Sequence, residues 1–332
     1  MDLKNLLIDL ASSVGVGYLN NVNDVAKKHL ENFSKITQND NCLMAKFGSG
    51  DYTIILEAHM DEVAMIVTEI FDDGFVSVSP VGSIDARLLP AQPVKIYGKQ
   101  IVRGTFTSVP PHLKSDTVVP TFDNCKVDTG DVNVGEKISQ GDLVLFDITA
   151  KELLNNRITC KALDNRAGMT AVIAAAKIIA NKKPNVKVIL LFPTGEELGL
   201  RGAKVAAYNI PANECIVVDV SFGDCMEVPA SKTAKLGSGA MIGISPILDK
   251  NIYKKLQQLA KENNIPNTAE VMGGTTSTDA DVITLTRDGM PCGLVSIPLR
   301  NMHTPAEVVD INDVEAVANL IAAYVERGGL NG

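Results

Sequence analysis

Apolar residues recur at helical spacing from Leu3 to Ser12, and an amphipathic stretch from Asn23 to Phe33 predicts a second helix. The period then shortens. Cys42 to Phe47 and Tyr52 to Leu56 are apolar runs of strand length. From about Ile66 to Thr159 short β-rich runs alternate with Gly, Pro and Asp turns. They include Phe75 to Val78, Val94 to Tyr97, Ile101 to Phe106 and Leu143 to Phe146. This stretch predicts a small barrel or sandwich set into an α/β domain. The alternation of helix and strand resumes after Asp164. Asn165 to Asn181 is Ala-rich and helical, as are Lys250 to Glu262 and Ile311 to Glu326. Val186 to Phe192, Cys215 to Val220 and Gly293 to Ile297 read as strands.

The chemistry gathers where those strands end. Phe192-Pro193-Thr194-Gly195-Glu196-Glu197 puts two adjacent carboxylates after a buried run, with no Lys or Arg between Val188 and Leu200. Burying two such groups is costly unless a positive charge pairs with them. A metal ion supplies that charge, leaving one carboxylate as ligand and its neighbour free to move a proton. The alternative is a surface helix start, where acids suit the dipole. Glu57-Ala58-His59-Met60-Asp61 offers a His with an Asp placed to hold its second ring nitrogen. Asp164 opens a helix and Asp219 ends an apolar strand; each alone fits a cap or a turn as well. The chain has four His in all. His59 and His303 stand at strand ends, whereas His29 lies in the amphipathic stretch and is assigned no role. Imidazoles and carboxylates without thiolate suit zinc, manganese or cobalt, and open α/β sheets place their sites at strand carboxyl ends.

The sequence segments AHMDE, KALDNRAG, TGEELGLRGA, VVDVS and SIPLRNMHTPAEVV, in this order, resemble the M42 family of metallo-aminopeptidases, relatives of glutamyl aminopeptidase and the tetrahedral peptidases. Val109 to Leu113 and Gly273-Gly274 through Ala280 share in the likeness. The resemblance implies a mixed-sheet α/β fold: a helix-flanked dinuclear metallopeptidase domain (1–66 plus 160–332) with an inserted small β-barrel (67–159) serving assembly and active-site access. It implies two divalent ions, zinc, cobalt or manganese. Asp164 would bridge them, His59 and Asp219 would complete one, and Glu197 and His303 the other. Glu196 would be the general base and Asp61 would orient His59. Thr278, Asp279 and His112 would lie on the substrate side, although Asp279 also fits a helix cap and His112 a loop tip. Pro110-Pro111 predicts a stiff extended segment there. Three departures stand out: Gly195 replaces a larger polar residue, Asn165 an Asp, and the stretch Gly274 to Thr278 is longer.

Composition narrows the function classes. The 332 residues can bury a large core, and no apolar run reaches the ~18 residues of a membrane span. A net charge of −8 argues against nucleic acid as a partner. Asp2 and Asp9 with no basic n-region do not read as a signal peptide. Six scattered Cys suggest free buried thiols, so the expectation is a cytoplasmic protein. The expected activity is removal of N-terminal residues from peptides by a self-associating enzyme, anything from a dimer to a dodecamer. A deacylase or carboxypeptidase with the same metal core, or a non-catalytic scaffold, are the alternatives.

Overall fold

The computed structural model describes residues 2–113, 119–226 and 228–332. Two compact units result: residues 1–61, 150–302 and 307–332 form the first, and residues 62–149 with 303–306 the second.

The first unit is built on an eleven-stranded mixed sheet. At its centre the strands Cys292–Arg300, Glu214–Phe222, Thr53–Glu57 and Lys187–Pro193 run parallel, in that order. Their carboxyl ends therefore share one edge. All five residues of Thr53–Glu57 are buried, because both faces of the sheet are covered, which explains a continuous rather than alternating apolar run. The helices Leu163–Lys182 and Ile311–Glu326 pack on one face with a core that includes Ile54, Leu56, Val218 and Val295. On the other, Ile55, Leu191, Val217 and Leu294 meet Ala203, Ala207, Ala280 and Ile283 from two short helices.

Leu163–Lys182 approaches the sheet closely. A Cβ on Gly168 would meet Asn165 Oδ1 at 2.1 Å and the carbonyl oxygen of Val218 at 2.9 Å. Backbone angles at Asp164 and Asn165 are not helical, so the regular helix begins at Arg166. The Asp164–Asn165 peptide is cis.

The second unit is a closed, antiparallel, six-stranded barrel. Met65, Val67, Val76, Val94, Ile96, Phe106, Val127 and Val144 fill its core. Its first and last strands, Ala64–Ile70 and Leu143–Phe146, are hydrogen-bonded neighbours, with Ile66 opposite Leu143. Pro111–Leu113 forms a 3-10 turn closed by the Leu113 amide on the Pro110 carbonyl at 2.9 Å, instead of the extended segment expected. A proline φ near −65° suits either conformation.

Cys42, Cys125, Cys160, Cys215 and Cys292 are buried free thiols, and Cys225 is exposed. Among the described residues no helix is long and apolar enough to cross a membrane.

Candidate metal centre

Glu57, His59 and Asp61 alternate along the extended chain leaving the Thr53–Glu57 strand, and all three are buried. His59 Nε2 lies 3.1 Å from Asp164 Oδ1 and 3.8 Å from Asp219 Oδ1, while Nδ1 faces Asp61 Oδ1 at 3.5 Å. His59, Asp164 and Asp219 each offer a ligand atom within 4.8 Å of the others, and Asp164 and Glu197 do the same as a pair. The residues expected to share a metal thus meet although His59 and Asp164 are 105 positions apart.

Asp61 does more than face a ring. Its two oxygens accept from the Glu196 amide at 3.1 Å and the Glu197 amide at 3.2 Å. The Glu pair therefore sits on a turn anchored through its backbone, not at a helix start. Gly195 supplies that turn with a φ of 77°, in the left-handed region that glycine enters freely. A Cβ there would meet nothing nearer than 3.7 Å, so conformation rather than crowding explains the departure.

Asn165 explains another. Its side-chain amide donates to the Val218 carbonyl at 2.8 Å, and its Oδ1 accepts from the Gly168 amide at 3.0 Å. An ionised Asp could make only the second bond. The amide of Asp164 donates to Glu307 Oε2 at 3.0 Å, a buried carboxylate that sequence reasoning missed. Nothing in the local pattern distinguishes Glu307 from an ordinary strand residue.

Electrostatics mark the cluster as short of positive charge. Burial pushes the Glu196 carboxyl up to about 8, reinforced by Asp279, Glu197 and Asp164 and opposed by His59. Asp219 is raised well above the usual carboxylate range for the same reasons, burial first. Burial alone would keep His59 neutral; its bond to Asp164, the nearby Asp61 carboxylate and the charges of Glu196 and Asp219 outweigh that and raise it strongly. Its Nδ1, a buried ring nitrogen, lacks a well-formed hydrogen bond. Excess carboxylate around an imidazole is the donor chemistry that divalent zinc, cobalt or manganese takes, so the residues fit such ions.

Glu57 and Asp279 form a second buried acidic pair. Both oxygens of each lack a donor, and a proton shared between the two carboxyls would join one oxygen of each. Burial raises both, Asp279 to about 7. Asp279 makes no cap bond; Thr278 Oγ1 accepts from the Ala280 amide at 3.3 Å instead. Asp279 and Thr278 are thus buried in the first unit beside the cluster. His303 stands three residues past the Cys292–Arg300 strand, with a φ of 59°, in the segment grouped with the second unit. His112 lies exposed on the 3-10 turn of that unit. His29 Nδ1 sits 3.1 Å from Lys177 Nζ, remote in sequence from every ligand.

Comparison with known proteins bears on the family and the fold. Residues 41–320 match the pattern of the M42 glutamyl aminopeptidases. A putative aminopeptidase of Acetivibrio thermocellus is 31% identical over 339 residues, covering 98% of each chain. The solved structure of an aminopeptidase from the archaeon Desulfurococcus kamchatkensis superposes with a TM-score of 0.91 at 30% identity, covering 98% of this chain and 94% of that one. The TET1 peptidase of Pyrococcus horikoshii, described as assembling into a tetrahedron or a large octahedral shell, gives 0.86 at 28% identity, covering 98% and 99%.

Proposed function

Because this chain belongs to the M42 glutamyl aminopeptidase family, we propose that it removes N-terminal residues from peptides at a two-metal centre with Glu196 as general base. The observation that carries this reading is the convergence of His59, Asp164 and Asp219 within 4.8 Å beside Glu196, in a pocket of excess negative charge. Two divalent ions held there would supply Lewis acidity toward the scissile carbonyl and a water with a pKa near neutrality.

The chain's own residues do the rest. His59 and Asp219 would hold one ion and Glu197 and His303 the other, with Asp164, which faces His59 and lies within reach of Glu197, offering a carboxylate to both. Asp61 orients the His59 ring and the Glu196–Glu197 backbone together. Glu196 accepts the proton of the attacking water and returns it to the leaving amine. A carboxyl lifted toward neutrality by burial suits that shuttle.

Hydrolysis of peptides with free and with N-acetylated ends tests the activity, in the presence of Zn²⁺, Co²⁺ or Mn²⁺. Release of the first residue from free ends alone is expected. Cleavage of the blocked set would move the reading to a deacylase or a related hydrolase, and no cleavage would favour a non-catalytic role. We also propose that the chain self-associates, with the barrel unit contributing to assembly and to active-site access. A mass by light scattering well above the 35.4 kDa of one chain is expected at micromolar concentration; a monomer would refute it.

A further inference from the structure

Beyond Asp219 on the same face of the sheet lies a carboxylate that the hydrolytic scheme leaves idle. Ser296 is the cross-strand partner of Asp219, and Ser221 follows Asp219 by two residues on its own strand. Partners in a parallel ladder, and residues two apart, project to one face. Both serine hydroxyls donate to Glu270: Ser221 to Oε1, and Ser296 to Oε2 at 2.7 Å. Glu270 belongs to the Asn267–Val271 strand, which pairs with Ala240–Ile244, itself hydrogen-bonded to Cys292–Arg300.

Two neutral hydroxyls aim this carboxylate but do not neutralise it. Among the described residues no ion pair reaches Glu270. Burial lifts its carboxyl above the usual range, and the two serine bonds only partly offset this. Serine–serine or serine–glutamine bonds would join these strands without placing an uncompensated charge there. Glu270 is half-buried, so it keeps an open side. The chain beyond it runs through Gly273 and Gly274, where an added Cβ would meet nothing within 4 Å. Ser296 lies about 4.8 Å across from Asp219 and Ser221 about 6.6 Å along. Glu270 is thus displaced from the metal-binding cluster by roughly the reach of a long side chain.

We propose that Glu270 is a specificity-determining residue that pairs with the side-chain cation, an alkylammonium or guanidinium, of a substrate's first residue. The assignment rests on the aminopeptidase reading and adds a preference for Lys or Arg at that position. Its test is Glu270→Gln, which keeps hydrogen-bonding capacity toward both serines and removes only the charge. With first-residue Lys, Arg and norleucine peptides, kcat/KM for Lys and Arg should fall about 10- to 100-fold, through KM. The norleucine value should stay within about twofold. An equal loss on all three would place Glu270 on the common α-ammonium or on the fold, and an unchanged Lys-to-norleucine ratio would show no contact; either overturns the proposal. Calorimetric binding of lysinamide and norleucinamide to the Zn²⁺-loaded protein separates the two failures. If no peptide is cleaved but lysinamide binds more tightly than norleucinamide only when Glu270 is present, the subsite stands and the activity reading falls. If the two amides bind alike, the subsite falls whatever the turnover.

Discussion

At the scale of single residues, the proposed centre gives the adjacent glutamates different tasks, Glu196 as base and Glu197 as ligand. Glu196→Gln should retain both ions and lose about 10²- to 10⁴-fold in kcat, the range of a positioned proton carrier. Asp164→Ala should instead lose metal, if that carboxylate serves both ions as proposed. Kinetics with elemental analysis of the same preparations checks both, and near-normal turnover of Glu196→Gln would remove it from the base role. Much of this was legible in the chain. A His-x-Asp and a Glu pair, each after an apolar run, carry their chemistry in plain residue types. Glu57 and Glu307 were less legible, since a lone acid in a strand is silent until the fold shows what donates to it. Nor could spacing show that Asp61 fastens two backbone amides as well as facing a ring.

Secondary-structure elements obey the same distinction between pattern and context. The helices at Leu3–Ser12, Lys250–Glu262 and Ile311–Glu326 have the bounds that periodicity gives, while the Asn23–Phe33 stretch folds as Val22–Leu30. Asn267–Val271, which carries Glu270, escaped notice because its polar, largely exposed residues present no apolar run. The short helix Arg201–Tyr208 was hidden by a Gly and two charged residues in eight. Gly168 shows how an element's context reverses a propensity. Alanine is the better helix former by about 1 kcal/mol. Here its Cβ would strike Asn165 Oδ1 and the Val218 carbonyl, an overpacking cost of ~1–3 kcal/mol. Gly168→Ala should therefore lower the urea midpoint, and a raised midpoint would show that the helix can back away from the sheet.

For the molecule as a whole, the buried acids set a pH dependence of unusual sign. Glu57, Glu196, Asp219 and Asp279 are all raised in the folded chain, Asp279 to about 7 and Glu196 to about 8, whereas unfolded carboxyls ionise near pH 4. Between about pH 4.5 and 8 the folded, chelated protein holds more protons than the unfolded chain, so its stability falls as pH rises. His59, raised when folded, adds with the same sign above its ordinary value. Divalent ions at the proposed centre would displace the protons carried by its ligands Asp219 and His59, so saturating Zn²⁺ should flatten the slope. Thermal midpoints across pH, with chelator and with Zn²⁺, check this; a midpoint rising with pH in chelator would contradict the described burial. The barrel bears on the same centre through chain statistics. Its first and last strands pair at Ile66 and Leu143, so a folded barrel staples its own entry to its exit. The 105-residue separation of His59 from Asp164 then contracts to an effective loop of roughly 28 residues, which lowers the closure entropy by about 1 kcal/mol. A lesion deep in the barrel core should thereby raise the entropic cost of bringing His59 to Asp164.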